Sequence, residues 1–270
     1  MNKVSKPTAY ANQPRKEQVI VSMTSFPAAI MFARKAILSI LNGSALPDKV
    51  VLYLTFSQFE NNQIPAELAA LTEQYPIFEI RNCDVDIRSY QKLVPALKDF
   101  PDAVVVTVDD DVDYHPNMLA KLLKWHAKYP DVIWAHRAKR IAYGRPYRKW
   151  HKYHWFNFLF KRVQPNFHTL QTGVGGVLYP PHSLRKDMID ERLFTRIAPT
   201  TDDIWFWAAA VANNVPVAAV PFGYNKLRDL GKPNSLALKM NNFKLGTDRN
   251  VAAMNALIEL YPEILDRLKE

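Results

Sequence analysis

Val104, Val105, Val106 and Val108 fall in one six-residue run with Ala103 and Thr107. A β-branched run without polar alternation reads as a strand buried on both faces. Such a strand needs a sheet covered by helices on each side, which constrains the fold more than any other feature of the chain. The flanking sequence agrees. Apolar runs at residues 19–23, 49–55 and 77–81 alternate with helical spacing at 30–41, 65–75 and 89–100. Asn42 and Gly43 stop the first of these helices, and Pro65 starts the second. Strand–helix alternation of this kind predicts an α/β fold with a Rossmann-type, mostly parallel sheet and helices on both faces. Beyond Asp113 the pattern predicts helices at 116–129 and 201–213, strands at 132–135, 172–179 and 215–220, and a helical tail from 247. A chain of 270 residues suits one domain.

Composition narrows the functional classes. A single cysteine, Cys83, excludes an internal disulfide framework and a cysteine-built zinc cluster, and is expected in the core. No apolar run approaches the ~20 residues of a spanning helix. Residues 1–17 form a polar lead-in without an apolar leader, so a cytoplasmic setting is expected. The net charge of +9 is local. Between Val132 and Lys186 stand 11 Lys and Arg residues and no acid. A regional patch of this kind implies an anionic partner at that place. No nucleic-acid-binding module accompanies it, so nucleic acid is not expected.

The chemistry concentrates after the valine run, at Asp109, Asp110, Asp111 and Asp113. Ligands of open α/β sheets bind at the C-terminal ends of strands. Extended backbone puts Asp109, Asp111 and Asp113 on one side and Asp110 on the other. Two carboxylates about 4 Å apart repel by about 4 kcal/mol at an effective dielectric of ~20. A divalent cation with oxygen ligands relieves that repulsion, and Mg²⁺ or Mn²⁺ leaves coordination positions for substrate phosphates. Helix capping is the structural alternative.

The stretch from Val104 to Asp113 resembles the DxD signature of glycosyltransferases with the GT-A fold. Three further stretches extend the likeness to bacterial glycosyltransferases of capsule and lipopolysaccharide synthesis. They are Ser22-Met23-Thr24-Ser25-Phe26-Pro27, Asp86-Ile87-Arg88-Ser89-Tyr90-Gln91-Lys92-Leu93-Val94-Pro95-Ala96-Leu97, and Thr201-Asp202-Asp203-Ile204-Trp205. The resemblance implies a nucleotide-sugar donor, with a UDP-sugar favoured, Mn²⁺ or Mg²⁺, and a saccharide acceptor. It divides the chain into a nucleotide-binding half (18–113), an acceptor half (114–246) and a helical tail (247–270). It implies that Asp111 binds the metal directly and that Asp109 holds the ribose or a metal-bound water, with Asp110 beside them. Thr24 and Ser25 would meet the nucleoside, and Arg88 and Lys92 the base or diphosphate. Asp203, with Asp202 before it, matches the acidic pair that supplies the base in inverting enzymes. That pair more often begins with Glu, so Asp202 departs from the pattern.

Other segments admit more than one reading. Asp202 and Asp203 also suit the first turn of the helix they precede. Next to an apolar wall containing Trp205, a carboxylate can gain proton affinity and act as a general base. Gly173, Gly175 and Gly176 form a bulged strand or, by the resemblance, lie under donor sugar and acceptor together with Trp205 and Asp248. Asp248 equally suits an N-cap of the last helix. Residues 148–162 alternate cations with aromatics. They read as core with outward cations, as a stacking face for a phosphorylated or lipid-linked acceptor, or as a contact with anionic membrane. Two rival functions remain at this level: an aspartyl-nucleophile phosphatase or phosphotransferase, and a non-enzymatic module binding anions or a membrane surface. The seven histidines show no metal-binding spacing.

Overall fold

The computed structural model describes residues 15–153, 164–223, 228–233 and 248–269. The expectations for residues 1–14, for 154–162 of the basic aromatic stretch and for the start of the tail at 247 lie outside the described residues. The expected alternation forms as β1 (Val19–Thr24), α1 (Ile30–Leu41), β2 (Lys49–Leu54), α2 (Ala66–Gln74), β3 (Phe78–Asn82), α3 (Val94–Asp99) and β4 (Val104–Thr107). Then follow β5 (Val112–Asp113), α4 (Met118–Lys128), β6 (Ile133–Ala135), β7 (Ala138–Arg140), β8 (His151–Lys152), β9 (Thr169–Gln171) and β10 (Val177–Tyr179). The chain continues with α5 (Glu191–Ile197), α6 (Asp202–Ala212), β11 (Val217–Ala219), β12 (Arg228–Asp229), α7 (Arg249–Leu260) and α8 (Glu263–Arg267).

Seven strands form one sheet in the order β11-β6-β10-β4-β1-β2-β3. All its pairings are parallel except those of β10, which runs antiparallel to β4 and β6. Alternate side chains of each strand enter opposite cores. Val19, Val21, Val104 and Val106 pack with Ile37, Leu71 and Leu122 of α1, α2 and α4. Ile20, Val51 and Val105 pack with Tyr90, Phe194, Trp205 and Leu257, on the layer built by α3 and α5–α8. The valine run is therefore buried on both faces because each face has its own helical layer. Topology places β4 at the centre of the sheet, with its C-terminal end beside that of β1.

Three expectations are corrected. The helix expected over residues 89–100 is a 3₁₀ turn at Arg88–Lys92 followed by the short α3. Pro95 has no N–H to donate to an earlier turn, so the helix begins only around it. Of the strand expected over 172–179 only the end forms, as β10 at Val177–Tyr179, and β9 stops before it at Gln171. β9 joins β7 and β8, β10 joins the large sheet, and Gly173–Gly175 turns between them. Gly176, at φ +91, makes the bend, and a Cβ there would sit 3.0 Å from Met118 Sδ. The tail divides at Tyr261 and Pro262 into α7 and α8.

Candidate active site at the tip of the central strand

β4 ends at Thr107, and the chain then carries the aspartate triplet across the C-terminal edge of the sheet. The triplet is not extended backbone as expected: the chain turns at Asp110 and Asp111 before β5, and the three side chains differ in burial. Asp110 is buried at 5% exposure, while the Asp109 and Asp111 side chains each keep 27%. Ser25, just past β1, donates through Oγ to Asp110 Oδ2 at 2.5 Å. Thr24 is spent on structure, because its hydroxyl donates to the Tyr53 carbonyl at 2.9 Å. The Asp109 backbone N–H donates to Tyr114 Oη at 2.8 Å, and that hydroxyl donates on to the Val174 carbonyl at 3.1 Å. Tyr114 thereby ties the triplet to the glycine turn.

Two lysines supply countercharge. Lys92 is buried, and its ammonium lies 3.0 Å from Asp109 Oδ1 and 3.1 Å from Asp202 Oδ2. The first contact is a hydrogen bond. The second is an ion pair without hydrogen-bond alignment, since Asp202 Oδ2 has no hydrogen-bond partner. Burial opposes the charge on Lys92, but the facing Asp109, Asp202 and Asp203 raise its affinity for the proton well above normal. Lys232 bridges Asp110 (2.8 Å) and Asp111 (3.3 Å). It arrives on a strap formed where β12 pairs antiparallel with β5, fastened by Leu230 N–H to the Asp111 carbonyl at 2.9 Å. Sequence reasoning missed Lys232. It lies 121 positions after Asp111 and no local pattern marks it.

Asp203 sits across Lys92 from the triplet, at the first turn of α6, where helix geometry favours carboxylates. Its Oδ1 accepts the Gly173 N–H at 2.9 Å. Burial, then the neighbouring Asp202, push its pKa up to about 7, against the opposing pull of Lys92 and the Gly173 N–H. Gly173 leaves room for its neighbours: a Cβ there would lie 2.5 Å from Lys92 Nζ and 3.3 Å from Asp203 Oδ1, and would push the lysine terminus aside. The glycine turn, Lys92 and the acidic pair thus form one interlocked unit, and Asp203 is held in reach of a proton at neutral pH.

The remaining candidates divide. Gly175 packs its backbone against Arg137, whose Cβ would lie 2.9 Å from an added Cβ. Trp205 is fully buried, with its indole N–H on the Met188 carbonyl at 2.7 Å. It has no surface left for an acceptor, which corrects the expected contact. Arg88 is exposed at φ +57, with its N–H on Asp86 Oδ1 at 2.7 Å. Asp248 is the N-cap of α7, accepting from Asn250 and Val251 N–H groups, and it also accepts the Tyr147 N–H at 2.9 Å. We expect Asp248→Ala to cost about 1–2 kcal/mol of stability through the lost cap, read as a lowered urea midpoint. In the basic aromatic stretch, Trp150 and Tyr153 are core, while Arg148, Lys149, His151 and Lys152 are exposed. His136 is buried against the Met118 carbonyl, and burial lowers its pKa to about 4, so it is a neutral core residue. Cys83 is half-buried at the edge of one core.

The donor set suits a hard divalent cation. Among the described residues no three His, Cys, Asp or Glu side chains converge into a closed cage. Mg²⁺ and Mn²⁺ need only one or two protein carboxylates when substrate phosphates complete the shell. Asp111 has a raised proton affinity, caused first by burial and then by Asp109. Among the described residues its one ion-pair partner is Lys232 at 3.3 Å, and about a quarter of its side chain is open. Two crowded carboxylates facing solvent are what such a cation neutralises.

No protein-family model and no curated protein sequence matches the chain. Solved structures do match its fold. GalNAc-T7, crystallised with UDP, GalNAc and Mn²⁺, is similar over 77% of this chain and 43% of its own, at 9% identity and TM-score 0.54. TarS residues 1–349 from S. aureus align over 76% and 58%, at 15% identity and TM-score 0.51. The mannosyltransferase PcManGT from Pyrobaculum calidifontis, in complex with GDP-Man and Mn²⁺, aligns over 97% and 76%, at 15% identity and TM-score 0.50. The chain spans less than half of the first of these proteins. The fold is GT-A-like, a seven-stranded mostly parallel sheet between helical layers.

Proposed function

We propose that this chain is a metal-dependent glycosyltransferase that moves a sugar from a nucleotide-diphosphate donor, with UDP-sugar favoured, to a saccharide acceptor. One observation carries the reading. The Asp109–Asp111 triplet and the Asp202–Asp203 pair meet across a single buried lysine, Lys92, at the C-terminal edge of the sheet. That arrangement separates two roles. Asp109 and Asp111 would hold Mn²⁺ or Mg²⁺, which supplies positive charge to a leaving diphosphate. Lys92 and Lys232 add fixed ammonium groups near the same place, and cations of this kind stabilise phosphate charge as it develops. Asp203, with a pKa near neutrality, accepts the proton of an acceptor hydroxyl. The sequence resemblance supports surface-polysaccharide synthesis as the setting.

The direct test is thermal unfolding with UDP and Mn²⁺ together and separately. At ~100-fold excess over Kd, ligand binding adds about 2.7 kcal/mol, or a rise of about 5 °C or more for a chain of this size. We expect the rise to need both components. Equal melting temperatures with and without them would remove the reading.

A further inference from the structure

The three-stranded sheet β8-β7-β9 grows out from the acidic pair. Gln171, the last residue of β9, lies opposite Ala138 and donates its side-chain amide to the Asp203 carbonyl at 3.3 Å. Arg137 holds the glycine turn through its own carbonyl, which accepts from Thr172 N and Oγ1 at 3.0 and 3.1 Å. Lys139, two residues on, falls on the same side of the strand as Arg137. Lys152 of β8 is its directly opposed partner.

Like charges directly opposed on a sheet repel, and natural pairs avoid them unless something offsets the cost. No ion pair among the described residues does so here. Among the described residues, Arg137, Lys139 and Lys152 have no carboxylate within ion-pair distance, and residues 132–186 contain no acid. Asp248 is near enough to favour the Lys139 charge, but its oxygens already accept the Tyr147, Asn250 and Val251 N–H groups. Burial, then Lys152 and Arg137, lower the Lys139 pKa to about 8. Lys139 is braced in place: its ammonium lies 3.5 Å from the centre of the Tyr147 ring and donates to the Tyr147 carbonyl at 3.1 Å. Tyr147 in turn lies within the fields of both Asp203 and Arg137. The crowded cations therefore begin where the proposed base ends.

We propose that this face selects a phosphorylated saccharide as acceptor, with Arg137, Lys139 and Lys152 gripping a phosphate next to the hydroxyl that Asp203 deprotonates. The assignment rests on the glycosyl-transfer reading and names the acceptor class for it. Phosphate accepts charge-assisted hydrogen bonds from several cations at once, whereas a neutral sugar leaves the Lys139–Lys152 repulsion in place.

The test is isothermal titration of the whole chain with mannopentaose and with phosphorylated mannopentaose at low salt. We expect the phosphorylated sugar to bind about tenfold tighter or better, from at least one charge-assisted contact. In the double variant Lys139→Gln/Lys152→Gln that preference should fall to nearly none. Its melting temperature, measured alongside, establishes that it is folded. Equal binding of the two sugars, or an undiminished preference in the folded variant, overturns the assignment. So does binding to phosphatidylglycerol vesicles that the phosphorylated sugar fails to displace, since the face would then be a membrane contact. UDP with Mn²⁺, titrated into the same sample, separates the two readings. Donor binding without a phosphate preference sinks the acceptor class alone. A phosphate preference without donor binding sinks the nucleotide-sugar reading beneath it.

Discussion

Asp111→Ala is expected to lower kcat/KM for sugar transfer by about 10²–10³-fold, the scale lost when a group facing developing charge is removed. The fold should survive. The hydrogen bond that Asp111 accepts from Leu230 uses its backbone carbonyl and is untouched by the change. The lost carboxylate is one whose ionisation burial and Asp109 oppose. Removing it relieves repulsion, so the melting temperature should hold or rise slightly. Lys232 keeps Asp110 as its partner at 2.8 Å, so no buried charge is orphaned. Steady-state rates, with Mn²⁺ binding followed by electron paramagnetic resonance, report the two halves of the claim. A variant that transfers sugar at the wild-type rate would refute the metal assignment.

Asp203→Asn should separate catalysis from stability. If Asp203 is the base, wild-type kcat/KM rises with pH through about 7, the value to which burial and Asp202 lift its pKa, and then levels. The variant should lose ~10²–10⁴-fold and show no such rise. Stability moves the other way. In the unfolded chain Asp203 ionises near pH 3.9, and in the folded chain only near 7. Between those values the folded state holds the extra proton, so stability falls as pH rises through that window. Asparagine still accepts the Gly173 N–H but has no charge to bury. The variant should therefore melt higher than wild type at pH 8 and lose that part of the pH slope in calorimetry. A lower melting temperature at pH 8 would show that the ionised carboxylate is a net stabiliser and contradict the raised pKa.

Apart from the helix expected over 89–100, the helices and strands before Asp113 were legible because the forces that place them are local. Apolar periodicity selected strand or helix, and Asn42-Gly43 and Pro65 marked ends. The two-sided burial of the valine run was equally readable from its composition, since β-branched residues without alternation have no face to give to water. The triplet was legible as a site for a related reason. Crowded carboxylates after a buried strand need a partner that the adjacent sequence does not contain. The breaks were harder. Residues 172–179 carry strand-like composition, yet the turn at Gly173–Gly175 sends β9 and β10 to different sheets. That choice depends on which strands wait alongside, not on the segment itself. Trp205 shows the same limit. Its place beside Asp203 in sequence suggested a wall of the pocket, and helix periodicity instead turns it into the core.

The sequence by itself determined the α/β alternation, the buried central strand and the presence of excess carboxylate at its end, because each follows from side-chain chemistry within a few residues. Only the tertiary structure decided which cations answer those carboxylates. Lys92 reaches both Asp109 and Asp202, and Lys232 crosses from a distant strap to Asp110 and Asp111. An ion pair depends on distance in space, and chain separation says nothing about that until the sheet brings its strand ends together.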